Sequence, residues 1–236
     1  MLKGKSVVVL GGSAGIGFAV AKAAADEGAN VHIGSSNPER VDAAVARLGG
    51  VASGARVDLT DEGSVDNFFS SLGQIDHLVY TAGDWVRRKT SLGKQFEIEA
   101  ARASFETRFF GALLAIDRAL PHLADDASIT LTSGTFAHRP AKGQALSTAL
   151  AGAVEHLARG LSVDLAPRRV NVVTAGMTAT DVWSRLAPET IATMVEGQAI
   201  ERIGRPEEVA EAFLYFMRAS FTTGQVAIVD GGAVYA

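Results

Sequence analysis

Cysteine is absent from the 236 residues. That excludes disulfide frameworks, thiolate nucleophiles and cysteine-held metals. No apolar run approaches the length of a bilayer span. The opening Met1-Leu2-Lys3-Gly4-Lys5 leads straight into a strand-like run, with no room for a signal peptide. The expectation is a soluble, cytoplasmic protein with no membrane partner. Surplus positive charge is missing as well. A net charge of −4 and a pI near 5.7 argue against nucleic acid as a partner. Prolines number only 6, and no repeat or low-complexity segment marks a linker, so residues 1–236 read as a single domain. An apolar share of 47% is enough for a large core.

Glycine, by contrast, is plentiful at 25 residues, and its first cluster is informative. The run Ser6-Val7-Val8-Val9-Leu10 reads as a strand buried on both faces. Gly11, Gly15 and Gly17 follow, and then an alanine-rich apolar helix. Strand, glycine turn and helix together suit a pyrophosphate. The glycines keep Cβ atoms out of the ligand's way, and the helix N-terminus offers unpaired N–H groups. Further strands are predicted at 31–34, 51–57, 75–80, 128–133, 170–174 and 226–229, with helices between them. The longest helices fall at about 95–123 and 144–166. Asn37 caps a helix that opens on Pro38. A helical lid is expected over about 178–200. Such alternation predicts a parallel sheet of about seven strands covered on both faces. Ligands then sit beyond the strand ends, at Gly11, Ser35, Asp58, Thr81, Ser133 and Thr174.

In order and spacing these motifs resemble the short-chain dehydrogenase/reductase family over nearly the whole chain. Gly11-x-x-x-Gly15-x-Gly17 is similar to that family's glycine motif, with Leu10 where a Thr is usual. Asp58-Leu59 resembles its adenine-contacting pair, and Thr81-Ala82-Gly83 its Asn-Ala-Gly. Arg169-Val170-Asn171 with Ala175-Gly176 resembles its Arg-Val-Asn…Pro-Gly segment. Thr223-Gly224 and Val229-Asp230-Gly231-Gly232 resemble its C-terminal signature. The resemblance implies a Rossmann-type doubly wound α/β fold and a small-molecule substrate. It implies a dinucleotide held by Gly11, Ser13, Ala14, Gly15, Ile16, Gly17, Asp58, Leu59, Thr81, Ala82, Gly83, Ala175, Gly176, Thr178 and Thr180. Thr180 takes the place of the Thr on the nicotinamide carboxamide. It also implies a homodimer or homotetramer joined through the two long helices.

NADP(H) is expected ahead of NAD(H). NAD-specific members carry an acidic residue after the second strand, where it bonds the ribose hydroxyls. This chain has Ser35, Ser36 and Asn37 there, with Arg40 close by. No carboxylate repels a 2′-phosphate, and the following helix offers its N-terminus. The same Ser-Ser-Asn-Pro stretch also reads as plain turn and cap chemistry, and the two roles are compatible.

The catalytic signature is where the chain departs from the family. Ser133 matches the family's Ser, but the usual spacing puts Leu146 and Leu150 at the Tyr and Lys of Tyr-x-x-x-Lys. The only tyrosines are Tyr80, Tyr215 and Tyr235, and none has a Lys four residues later. The family's fourth residue, an Asn, falls on Arg108. Candidate replacements are Arg108, which brings a fixed cation, Ser133, and His138, which transfers protons near neutral pH. Each has a plainer reading: Arg108 as a partner of Glu106, of Asp117 or of a neighbouring subunit, Ser133 as a strand end, His138 and Lys142 as loop residues facing solvent. Trp183 and Met177 read as lid or core packing, and Arg87-Arg88-Lys89 as a solvated loop. A reductase with a rebuilt proton supply is the first expectation. A redox-silent NADP(H)-binding protein that regulates, or that catalyses an addition or cyclisation, is the second. A pure subunit-interaction role is the third.

Overall fold

The computed structural model describes residues 1–83, 90–93, 95–181 and 187–236. Its first half runs β1 (Ser6–Leu10), α1 (Gly15–Asp26), β2 (Asn30–Ser35), α2 (Pro38–Leu48), β3 (Ala52–Arg56), α3 (Glu62–Ser70) and β4 (Ile75–Tyr80). A short hairpin, β5 (Thr90–Ser91) and β6 (Gln95–Phe96), precedes α4 (Ile98–Phe105) and α5 (Gly111–Ala119). Then come β7 (Leu123–Gly134), α6 (Ala145–Asp164), β8 (Arg169–Ala175), α7 (Pro188–Val195), α8 (Pro206–Arg218) and β9 (Val226–Val229). Seven strands form one parallel sheet in the order β3-β2-β1-β4-β7-β8-β9. The order reverses at β1 and β4, which is where such sheets open a ligand crevice.

Strand alternation builds two cores. Val8 and Leu10 face one side with Leu78, Ile129 and Leu131, under α3, α5 and α6. Val7 and Val9 face the other, under α1 and α8. Small side chains on α1, Gly17, Ala21 and Ala24 among them, are fully buried or nearly so and let that helix lie close on the sheet. Capping follows the sequence: Asn37 accepts from the Arg40 amide, and Asp61 from the Ser64 amide.

Three segments differ from expectation. The helix foreseen over 95–123 starts three residues late, after β6, and is interrupted by a wider π turn at Glu106–Phe110. It ends at Ala119, just before Pro121, whose ring cannot continue it. The strand foreseen over 128–133 runs the length of Leu123–Gly134, with a register shift against β4 between Ile75 and His77. Within the foreseen lid, the described helix is α7 alone. Trp85, Arg87-Arg88-Lys89 and Trp183 lie outside the described residues.

Candidate active site at the strand ends

The strand ends surround a cleft of about 610 Å³. Its floor is the turn after β1. A Cβ added to Gly17 would stand 2.3 Å from the Gly11 carbonyl oxygen and 2.4 Å from Thr81 Oγ1, so only glycine closes this turn. Ala14 gives α1 no side-chain cap, and no acidic residue stands in its first turn. The leading amides, including those of Gly15, Ile16 and Gly17 along the cleft, are therefore suited to an anion.

Of the residues singled out in the sequence, Gly11, Ser13, Ala14, Gly15, Ile16, Gly17, Ser35, Ser36, Arg40, Asp58, Leu59, Thr81, Ala82, Gly83, Arg108, Ser133, Ala175, Gly176, Thr178 and Thr180 all line this cleft. At one corner Ser13 Oγ donates to Ser35 Oγ over 2.9 Å, with Ser36 and Arg40 alongside. No carboxylate comes from the end of β2. Asp58 accepts from the Thr60 hydroxyl and amide, and those hydrogen bonds hold its carboxyl below the usual range, against a small opposing effect of burial. A dinucleotide with a phosphate on its adenosine ribose fits these groups.

At the other end the site is built around Arg108. The π turn carries it out of α-helical phase, and its Nη2 donates to the Gly83 carbonyl at 2.6 Å. Gly83 has φ +106, and a Cβ there would stand 2.5 Å from Arg108 Cγ. Glycine thus makes room for the arginine stem. Below it, the Tyr80 hydroxyl donates to the Thr107 carbonyl, and burial pushes that phenol's pKa well up, against a smaller opposite effect of Arg108. Asp117, one foreseen partner of Arg108, pairs with Arg118 instead.

The hydroxyls near this end share one habit. Thr81 donates to the Leu10 carbonyl, Thr132 to Tyr80, Ser133 to Ala151 and Thr178 to Gly176, at 2.8 to 3.1 Å. Each proton is committed to main chain, and the oxygens keep lone pairs for a ligand. Arg40 and Arg108 are the cationic side chains lining the cleft among the described residues, one at each end.

Four foreseen residues lie elsewhere. Asn37 spends its side-chain oxygen on the α2 cap and does not line the cleft. His138 follows the turn Thr135–Ala137 and points its Nε2 at Glu155 rather than into the cleft. Neither Leu146 nor Leu150 lines the cleft. Leu150 is buried, and Ser133 meets α6 at the next residue. Ser133 bonds the Ala151 carbonyl, Ser147 is buried a turn earlier, and Glu155 a turn later bonds Thr174, the register partner of Ser133. Positions 147, 151 and 155 share a face, since residues four apart do so on a helix. Lys142 is exposed. Thr107, Thr132, Val57, Thr60 and Asp181 line the cleft without having been foreseen. Each adjoins a residue that was, or its partner strand end, and that adjacency was the available signal.

Residues 11–234 match the family model described as enoyl-(acyl carrier protein) reductase. The chain is 34% identical over 251 residues to the short-chain dehydrogenase/reductase ATR9 of Stachybotrys chlorohalonatus, covering 98% of each. The chain belongs to the short-chain dehydrogenase/reductase family. As a member of this oxidoreductase family it is also 35% identical over 254 residues to the short-chain dehydrogenase/reductase malC of Malbranchea aurantiaca, covering 98% of this chain and 95% of that protein. The solved structure of the MalC reductase/Diels-Alderase superposes with a TM-score of 0.91 at 34% identity, covering 100% of this chain and 98% of that one. A small-chain dehydrogenase in complex with NADPH superposes with a TM-score of 0.82 at 30% identity, over 99% of this chain and 100% of that one. Among the described residues of this short-chain dehydrogenase/reductase, no helix is long and apolar enough to cross a membrane.

Proposed function

We propose that the protein is an NADP(H)-dependent reductase of a small carbonyl, imine or enone substrate that works without the family's tyrosine and lysine. One observation carries this reading. Arg108 and Ser133 line the same end of a glycine-floored cleft, and no tyrosine or lysine lines it among the described residues. The relative solved with NADPH supports the cofactor. NADP(H), when bound, supplies a hydride.

The chain's own residues would do the rest. The turn from Gly11 to Gly17 and the first amides of α1 hold the pyrophosphate. Ser35, Ser36 and Arg40 receive the 2′-phosphate, Asp58 and Leu59 the adenosine, and Thr178 and Thr180 the nicotinamide side. Arg108 stabilises the negative charge that develops on the substrate heteroatom, through N–H groups already fixed in place. A guanidinium does not give up its proton. The proton therefore comes from a separate group, and His138 is the histidine nearest Ser133 in the chain. Leu146 and Leu150, at the positions of the family's tyrosine and lysine, offer neither a proton nor a charge.

A second reading keeps NADP(H) as a bound, redox-silent ligand and uses the cleft for an addition or cyclisation. The relative described as a reductase/Diels-Alderase favours it, since holding reacting ends together needs no acid. NADPH consumption against a panel of ketones, imines and enones separates the two. Substrate-dependent oxidation of NADPH is the expected result. Tight binding of NADPH with no turnover on the whole panel would overturn the reductase reading in favour of the second.

A further inference from the structure

One cluster of titratable side chains lies just behind the cleft wall and has no part in holding a dinucleotide. Glu155 on α6 is buried, with 3% of its side chain exposed. Its Oε1 accepts from the Thr174 hydroxyl at 2.7 Å and pairs with His138 Nε2 at 2.9 Å. A buried carboxylate is costly unless it is paired and hydrogen-bonded, and these two contacts fix its place and that of the ring it meets. His138 keeps 28% of its side chain exposed, and among the described residues its Nδ1 makes no hydrogen bond. The cluster touches the active end on both sides. Thr174 pairs in register with Ser133, and Glu155 stands one helical turn beyond Ala151, the acceptor of Ser133.

The geometry points to Glu155 as the positioning residue for His138, holding the imidazole so that protons pass through Nδ1 to a ligand beside Ser133. This deepens the reductase reading above and rests on it. With Nε2–H fixed on the carboxylate, the neutral ring has one tautomer and a free Nδ1 lone pair. The imidazolium then carries its mobile proton on Nδ1. When the substrate heteroatom gains negative charge, that proton crosses to it, directly or through one water, and the N–H bond on Nδ1 breaks. His138 is left neutral, and solvent returns a proton through the exposed ring edge. This is the logic by which a buried carboxylate orients a histidine in hydrolase triads, run toward proton donation.

Glu155→Gln tests it, because the amide keeps the size of the side chain and can still meet Thr174 and His138 while losing the charge. In wild type without cofactor, ring nitrogen NMR should show His138 as the Nε2–H tautomer. In Glu155→Gln the ring should become a mixture of tautomers. With NADPH and a substrate found on the panel, Glu155→Gln should lower kcat at least tenfold, with KM and NADPH affinity changed less than threefold. In a His138→Ala background, Glu155→Gln should cost nothing further, as expected when one residue acts through another. Unchanged ring nitrogen shifts, a wild-type kcat, or a full second loss in the His138→Ala background would each overturn the role of Glu155 alone. A wild type that binds NADPH and reduces nothing would overturn the reductase reading and this role together, and that result is read on wild type before any variant is made.

Discussion

If the cleft holds NADP(H) as proposed, position 35 decides which adenosine ribose it accepts. Its hydroxyl is within 2.9 Å of Ser13 and beside Arg40, with no carboxylate from β2. Ser35→Asp places a negative charge where a phosphate is to sit. It should weaken NADPH binding at least tenfold, about 1.4 kcal/mol, while NADH binding holds or improves. An unchanged preference, measured by titration, would move the phosphate elsewhere. Arg108 is the matching residue at the reacting end. Arg108→Ala should lower kcat at least tenfold with little effect on NADPH affinity, the scale of a lost charge-stabilising donor. Arg108→Lys should not restore the rate, because an ammonium lacks the planar fork held by Gly83. A rate equal to wild type in either variant would remove Arg108 from the chemistry. That both line the cleft was legible in the sequence, one from the end of a strand and one from a family position. Glu155 was not, because nothing in the string indicates that a helix places it against Thr174 and His138.

The π turn at Glu106–Phe110 is the element that aims Arg108, and the Tyr80 hydroxyl braces it by bonding the Thr107 carbonyl. Tyr80→Phe removes that brace and leaves the Thr107 carbonyl without this donor. At about 1 kcal/mol for such a bond, the thermal midpoint should fall about 2–4 °C, and kcat should fall with it while NADPH affinity is kept. A variant with the midpoint lowered and kcat intact would show that the turn supports the fold but not the site. No periodicity reveals such a turn. The apolar spacing of Ala101, Ala112, Ala115 and Ile116 reads as one continuous helix, and the extra residue in the loop of main chain is a tertiary accommodation to Gly111 closing on Leu59 and Tyr80. The glycine turn was legible for the opposite reason. Its constraint is local, because Gly11, Gly15 and Gly17 must each lack a side chain wherever a strand runs into a phosphate-binding helix. How α6 meets the strand ends was not legible: Ser133 bonds the Ala151 carbonyl, and Leu150, Ala151, Val154 and Glu155 are all buried, so no single stripe marks the face.

Across the whole molecule, the two ends of the sheet differ in what they tolerate. The cleft end is polar and open, while the far end buries His77 against Ser128 at 2.8 Å. Burial pushes the His77 pKa down to about 4, only partly offset by the neighbouring charge of Asp76. The unfolded chain titrates near 6.5, so between about pH 6.5 and 4 it binds more protons than the folded one. Stability from this group is complete above pH 6.5 and is lost as pH falls toward 4, by roughly 3 kcal/mol at most. Urea unfolding at pH 7.5 and 4.5 should show that loss, and His77→Asn should shrink it. An equal loss in the variant would assign the acid sensitivity to other groups. At the other end of the sheet, the proposed function requires the crest to hold a phosphorylated dinucleotide on a floor only glycine can make. Equilibrium titration of wild type and Gly17→Ala with NADPH and with NADH tests it most directly. Wild type should bind NADPH at least tenfold more tightly than NADH, and Gly17→Ala should lose both. Equal affinity for the two cofactors, or undiminished binding by Gly17→Ala, would contradict the account.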